Sequence, residues 1–247
     1  MQIQRLNTDW IPSPLRLGHP LVQHHLRQPV QPYFRYLILI VSGIMFLLFG
    51  GLSLPMLYLF LSLLIFIQLA AGTAERVHRA QEIRTWDLIR VAPFSRRDVL
   101  LSTWAAGVWQ LNRIWIVSVY WILHGLVILG VIIFGLWFGE IPSNHALLVI
   151  VSGTLLIALQ PLVEIYFSGM VGLLCASLFD DRTLSLASAG FCALCYWGIW
   201  IAGILILSAA DLKLLTPTQM GALLSLPLLL PLLVGYGAQR FAEKKLS

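Results

Sequence analysis

Residues 75–99, ERVHRAQEIRTWDLIRVAPFSRRDV, form a charge-laced stretch set between long apolar runs. Within it Ile83, Trp86 and Ile89 recur every three residues and fall on one side of a short helix. Arg84, Asp87 and Arg90 take the adjoining face. Pro93 stops that helix, because it lacks an amide donor and disfavours helical geometry in the residue before it. A second helix restarts at once. Ser95 followed by Asp98 reads as a capping box, with Ser95 as the N-cap of a helix running through Leu100 and Leu101. Two helices are thus expected to meet at a corner outside a bilayer. An ordinary solvated cytoplasmic loop is the alternative reading of the same charges.

Outward from this stretch the chain is oily. Of the 247 residues, 59% are hydrophobic and 11% charged, and mean hydropathy is +0.85, whereas soluble domains carry roughly 25% charged residues. The expected class is all-α: a polytopic membrane protein with almost no chain left for a separate soluble domain. The net charge of +5 does not point to nucleic acid, because the basic residues sit beside apolar runs, where they set orientation and favour anionic lipid.

Six transmembrane helices are expected, over about 33–49, 56–73, 114–138, 146–178, 184–207 and 220–237. The domains follow: a cytoplasmic N-terminal segment 1–32, a membrane domain 33–238 interrupted by a cytoplasmic loop 74–113, and a basic tail 239–247. Segment 1–32 has no apolar run of signal-peptide length. It offers either a disordered basic tail or a short amphipathic helix lying in the headgroup plane, with Leu17, Leu21, Val22 and Leu26 on one face. The fourth run exceeds one bilayer crossing, so it must tilt, break near Pro161 or project into water. Pro217 suggests a broken, re-entrant element before the sixth span. Of the 16 lysines and arginines, 15 lie on the face shared with the two termini and only Lys213 lies opposite. The positive-inside rule makes that face cytoplasmic and places the protein in the cell membrane with both termini inside.

Several polar residues inside the spans are candidates for function. Glu164 lies deep in the fourth run, where a charged side chain costs about 2.5–3.5 kcal/mol on insertion scales. It either lines a translocation pathway between subunits, caps a helix broken near Pro161, or is a neutral carboxyl bonded to a neighbouring helix. His124 reads as a membrane histidine bonding an adjacent helix. The two appear isolated from one another along the sequence. Cys192, Cys195 and Cys175 lack the four-ligand pattern of a zinc site and read as small packing residues, as do Ala187, Ala189, Gly190, Gly198 and Gly203. No metal site is expected.

The run ERVHRAQEIRTWDLIRVAPFSRRDVLLS over 75–102 resembles the first cytoplasmic loop of type-2 ABC transporter permeases, in which an acidic-basic run, a Thr-Trp-Asp-Leu-like core, a proline and a Ser/Arg-rich turn precede the third span. HPLVQHHLR at 19–27 and VGLLCASLFDDRTLSLA at 171–187 are weaker echoes of that family. His19 and His25 stand where it tends to have Asn and Glu, and residues 82–84 replace a Glu-Arg-Gly run. The resemblance implies an exporter-type transmembrane subunit with an N-terminal elbow helix. It further implies that 83–91 is a coupling helix docking on a separate ATP-binding subunit through Ile83, Arg84, Trp86, Asp87, Ile89 and Arg90. The implied partners are ATP-binding subunits and a second permease, either a copy or a paralogue, within the bilayer. No cofactor is expected on this chain, and ATP and Mg belong to the partner. The only lysines, Lys213, Lys244 and Lys245, sit in no phosphate-binding loop, so the chain is not expected to be an enzyme that hydrolyses ATP by that route. A polytopic membrane enzyme or a non-transporting scaffold is the competing class, and an enzyme predicts acids and histidines clustered on adjacent spans.

Overall fold

The computed structural model describes residues 12–16, 18–26, 40, 44, 53–82, 95–112, 115–139, 141, 143–209 and 216–245. After a 3-10 turn at Ser13–Leu15, the helices are α1 (Pro20–Leu26), α2 (Ser53–Glu82), α3 (Arg96–Asn112), α4 (Ile116–Trp137), α5 (Ser143–Leu178), α6 (Arg182–Ala209) and α7 (Pro217–Lys245). Five of these, α2 and α4 to α7, are long and apolar enough to cross a membrane. They correspond to the second through sixth expected spans. The first expected span is described only at Ile40 and Ile44, and the expected re-entrant element before α7 lies outside the described residues.

The outer faces are as oily as the interior. Ile122, Leu147, Ile199 and Leu233 are 63%, 75%, 64% and 67% exposed. Lipid, not water, is the solvent in which such helices keep every backbone group bonded internally and turn leucine outward.

The helices depart from expectation where local chemistry overrides hydropathy. α2 continues through Glu82 rather than ending near Thr73, because the charged run that follows contains strong helix formers and neither glycine nor proline. Glu75 and Arg79, one turn apart, pair at 2.9 Å along it. α3 starts as the capping box requires: the Asp98 amide donates to Ser95 Oγ at 3.1 Å and the Ser95 amide donates to Asp98 Oδ2 at 3.3 Å. Gly139 ends α4 with φ +69°, a left-handed conformation that glycine adopts without steric cost.

α5 is the axis of the bundle. At 36 residues it is about 54 Å long and packs against α2, α3, α4, α6 and α7. Of the three outcomes open to the fourth run, a break at Pro161 does not occur. Proline removes the donor for the carbonyl four residues earlier, that of Ile157, and the Trp121 indole on α4 supplies one at 3.0 Å.

The main core gathers Phe66, Leu69 and Ala70 of α2, Phe167, Met170 and Leu173 of α5, and Ala189 and Tyr196 of α6. The α2 and α5 backbones approach closely at Gly172, where a Cβ would lie 2.2 Å from the Ala70 carbonyl oxygen. The small residues expected to form a packing surface on α6 divide. Ala189 is buried, but Gly190, Gly198 and Gly203 have nothing within reach of a Cβ and Ala187 is exposed. Cys175 is buried while Cys192 and Cys195 are exposed on α6.

Gly172→Val places side-chain atoms against a backbone carbonyl that cannot rotate away. It should destabilise the protein by about 1–3 kcal/mol, whereas Gly203→Val, in open space, should not. Thermal unfolding of the two purified variants in detergent compares them directly.

Candidate functional site

Two polar pairs, each spaced by one helical turn, meet in the middle of the apolar bundle. Tyr120 and His124 project from α4, Gln160 and Glu164 from α5. Glu164 Oε1 accepts from Gln160 Nε2 at 2.9 Å, and its Oε2 accepts from the Tyr120 hydroxyl. The ring of Tyr58 on α2 stacks on Tyr120 with centroids 5.7 Å apart and planes 8° from parallel. The Tyr58 hydroxyl lies 3.0 Å from His124 Nδ1, and His124 Nε2 lies 3.3 Å from the Leu156 carbonyl on α5. A carbonyl can only accept, so Nε2 carries the hydrogen, and in the neutral imidazole Nδ1 then accepts from Tyr58.

The cluster is buried except at Tyr58, which is half-buried. Tyr120 and His124 are 0% exposed, Glu164 2% and Gln160 3%. Among the described residues, the side chains that donate to the Glu164 carboxyl are uncharged and no basic group pairs with it. Such an arrangement fixes α2, α4 and α5 in rotation about their axes. It can hold a proton at Glu164, and its burial keeps a substrate away from these groups in this conformation. His124 thus bonds neighbouring helices as expected. The apparent isolation of Glu164 from His124 is corrected: the stacked Tyr58 and Tyr120 join them. Glu164 faces inward to α4, and α5 is continuous at Pro161, so the carboxyl caps no broken helix end. Tyr58, Tyr120 and Gln160 were not singled out in the sequence. The one-turn spacings Tyr120/His124 and Gln160/Glu164 on apolar helices were the available signal.

A second polar layer lies at the charged end of the bundle. Glu75 of α2 accepts from Arg79 at 2.9 Å and from Arg182 at the start of α6 at 2.6 Å, and Arg182 approaches Glu82 at 3.9 Å. These side chains are partly exposed, so each pair contributes about 0–1 kcal/mol and sets geometry more than stability. Arg76 is buried between α2 and α3, with Nη2 bonded to Gln110, and its guanidinium fills the space that Gly107 leaves open. α3 then reaches three neighbours in turn. Trp104 Nε1 donates to the Ile165 carbonyl of α5 at 3.1 Å, Gly107 abuts Leu69 and Arg76 of α2, and Trp109 Nε1 donates to the Leu15 carbonyl at 2.9 Å. The apolar face of α1, with Leu21 and Val22 buried and Leu26 partly so, is directed into the protein: Val22 and Leu26 join Ala105, Ala106 and Trp109 of α3 in one cluster.

The expected docking residues Ile83, Arg84, Trp86, Asp87, Ile89 and Arg90 lie outside the described residues. The elements on either side of them are held: α2 through Glu75 and Glu82 to Arg182, and α3 through its tryptophans. No group of three or more His, Cys, Asp or Glu that could hold a metal ion occurs among the described residues.

Compared with known proteins, the chain matches no protein-family model, no curated protein and no solved structure. What fold and composition together define is a multi-pass α-helical membrane protein.

Glu164→Gln can still accept from the Tyr120 hydroxyl and should stay within about 1 kcal/mol of wild type. Glu164→Leu strands the Tyr120 hydroxyl and the Gln160 amide in an apolar interior and should cost about 1–3 kcal/mol. Denaturation followed by tryptophan fluorescence in mixed micelles separates the two.

Proposed function

We propose that this chain is the transmembrane permease subunit of an ATP-binding cassette transporter of the exporter type, driven by ATP hydrolysis on a separate subunit. The observation that carries the reading is the stretch 83–91. Its apolar stripe Ile83, Trp86, Ile89 is bordered by Arg84, Asp87 and Arg90, a pattern suited to a helix seated in a groove of a partner. The flanking elements support it, because a segment that transmits force needs firm attachments. α3 is braced to α5 and the N-terminal segment, and the partly exposed Glu75, Glu82 and Arg182 set the position of α2 against α6. The concentration of 15 of 16 basic residues on one face supports a cytoplasmic position for this stretch. The partners are ATP-binding subunits, which hold ATP and Mg, and a second permease, either a copy or a paralogue. Binding must differ between nucleotide states of the ATPase for movement to follow.

Within this reading Glu164 belongs to the translocation machinery, as an intramembrane carboxyl with no basic partner among the described residues. Glu164→Gln, which preserves its hydrogen bonding, lowers transport without lowering expression. Unchanged transport in reconstituted vesicles would remove the residue from the pathway.

A membrane enzyme is the second reading, favoured by one observation: Glu164 and His124 share a cluster on adjacent helices. Against it stands the burial of Tyr120, His124, Gln160 and Glu164 among the described residues.

The two readings part in a pull-down of the detergent-solubilised protein against the ATP-binding subunits of its genome. Wild type captures one of them, and Trp86→Ala and Arg84→Glu each lose at least tenfold of that capture, about 1.4 kcal/mol. Wild-type protein that is folded and captures none would move the enzyme and scaffold readings to the front.

A further inference from the structure

On the bilayer-facing side of α5 and α7 an open groove of about 340 Å³ is lined by Tyr166, Leu232, Leu233 and Tyr236. That volume lies at the lower end of the roughly 300–1,000 Å³ range of ligand sites. Gly235 admits the Tyr166 ring to the groove floor, since a Cβ there would come to 3.0 Å from Tyr166 Cε1. The two phenols do not leave the groove polar. The Tyr166 hydroxyl donates to Gln239 Oε1 at 2.7 Å, and the Tyr236 hydroxyl accepts from Arg240 Nε at 2.9 Å. What remains facing outward is ring edge and leucine.

The groove has a polarity along its length. One turn beyond Tyr236, at the charged end of the bundle, the Arg240 guanidinium stands 5.2 Å from the centroid of the Tyr236 ring. Arg97 is exposed near the start of α3, a helix that packs against both α5 and α7. The acid at this rim is Glu243, which accepts from Gln239 Nε2 at 2.7 Å and from Arg240 Nη1 at 3.4 Å. It offsets Arg240, while Asp98, beside Arg97 on α3, is turned back to the Ser95 amide and among the described residues Arg97 is in no ion pair, so one positive charge remains at this rim. From Leu232 to Arg240 the helix rises about 12 Å. An apolar trough ending in a positive rim, set parallel to a membrane-spanning helix, matches the layout of a lipid: tail in hydrocarbon, phosphate at the surface.

We infer that this groove is a binding site for an anionic phospholipid of the leaflet on the positively charged side. One acyl chain lies against Tyr166, Leu232, Leu233 and Tyr236, and the phosphate sits between Arg97 and Arg240. A zwitterionic lipid carries its own cation at the same level and gains less from the two arginines. The inference does not depend on what the protein transports or whether it transports anything.

The test uses the full-length protein in detergent, titrated with dioleoyl phosphatidylglycerol or dioleoyl phosphatidylcholine and read by native mass spectrometry of retained lipid. Wild type retains the glycerol lipid in preference to the choline lipid. Arg97→Gln and Arg240→Gln each weaken that retention about fivefold, the effect of one basic residue at a membrane surface. Leu233→Trp fills the groove from an exposed position and lowers retention of both lipids. Leu233→Phe is the milder filling variant should the first not elute as folded protein. The pair Lys244→Gln and Lys245→Gln removes charge from the same helix end beyond the groove and leaves retention as in wild type.

Equal retention of the two lipids by wild type overturns the proposal. So does a loss in the lysine pair as large as in the arginine variants, which would mean diffuse attraction to a basic surface. Leu233→Trp that turns a dimer into a monomer with lipid retention unchanged also overturns it, because the groove would then seat a second copy of the chain.

Discussion

The Trp121 indole hydrogen-bonds the one backbone carbonyl that Pro161 leaves without a helical donor, and the continuity of α5 depends on that bond. In hydrocarbon no water can take the place of a missing amide, so an unbonded carbonyl costs several kcal/mol and a proline helix ordinarily kinks or breaks. Here a neighbouring helix supplies the donor, and α5 runs unbroken past α2, α3, α4, α6 and α7. The same device recurs at other crossings. Trp104 donates to the Ile165 carbonyl, Trp109 to that of Leu15, and Trp197 of α6 to that of Leu59 at 3.2 Å. Each indole places an apolar body between helices and a single donor at its edge. That combination suits a medium in which hydrophobic burial alone does not hold helices together, because lipid tails are as apolar as leucine.

The cluster around Glu164 follows the same logic with higher stakes. Its members cannot face lipid, and each finds its partner on another helix or one turn away. The cluster therefore fixes how α2, α4 and α5 are rotated, which apolar contacts among leucines specify poorly.

At the charged end, geometry replaces stability as the role of polar contacts. The Glu75, Arg79, Arg182 and Glu82 group is partly solvated and contributes little to folding. It joins the C-terminal turns of α2 to the first turn of α6. α1 and α3 complete the layer by packing on each other through Val22, Ala105 and Ala106.

How much of this could be read without coordinates depends on the range of the interaction. The sequence by itself determined that the chain is helical and oily, where five of its membrane helices lie, and that Ser95 and Asp98 cap α3. These are consequences of composition, periodicity or contacts within one turn. Only the tertiary structure decided that α5 passes Pro161 intact, that Glu164 and His124 belong to one cluster joined by Tyr58 and Tyr120, and that Gly172 rather than Gly190, Gly198 or Gly203 marks a close crossing. The physical reason is that a helix apolar on every side carries no amphipathic signal for its inward face. Its rotation is set by the few polar and small residues that meet across helices, and which of them meet is known only when the helices are assembled.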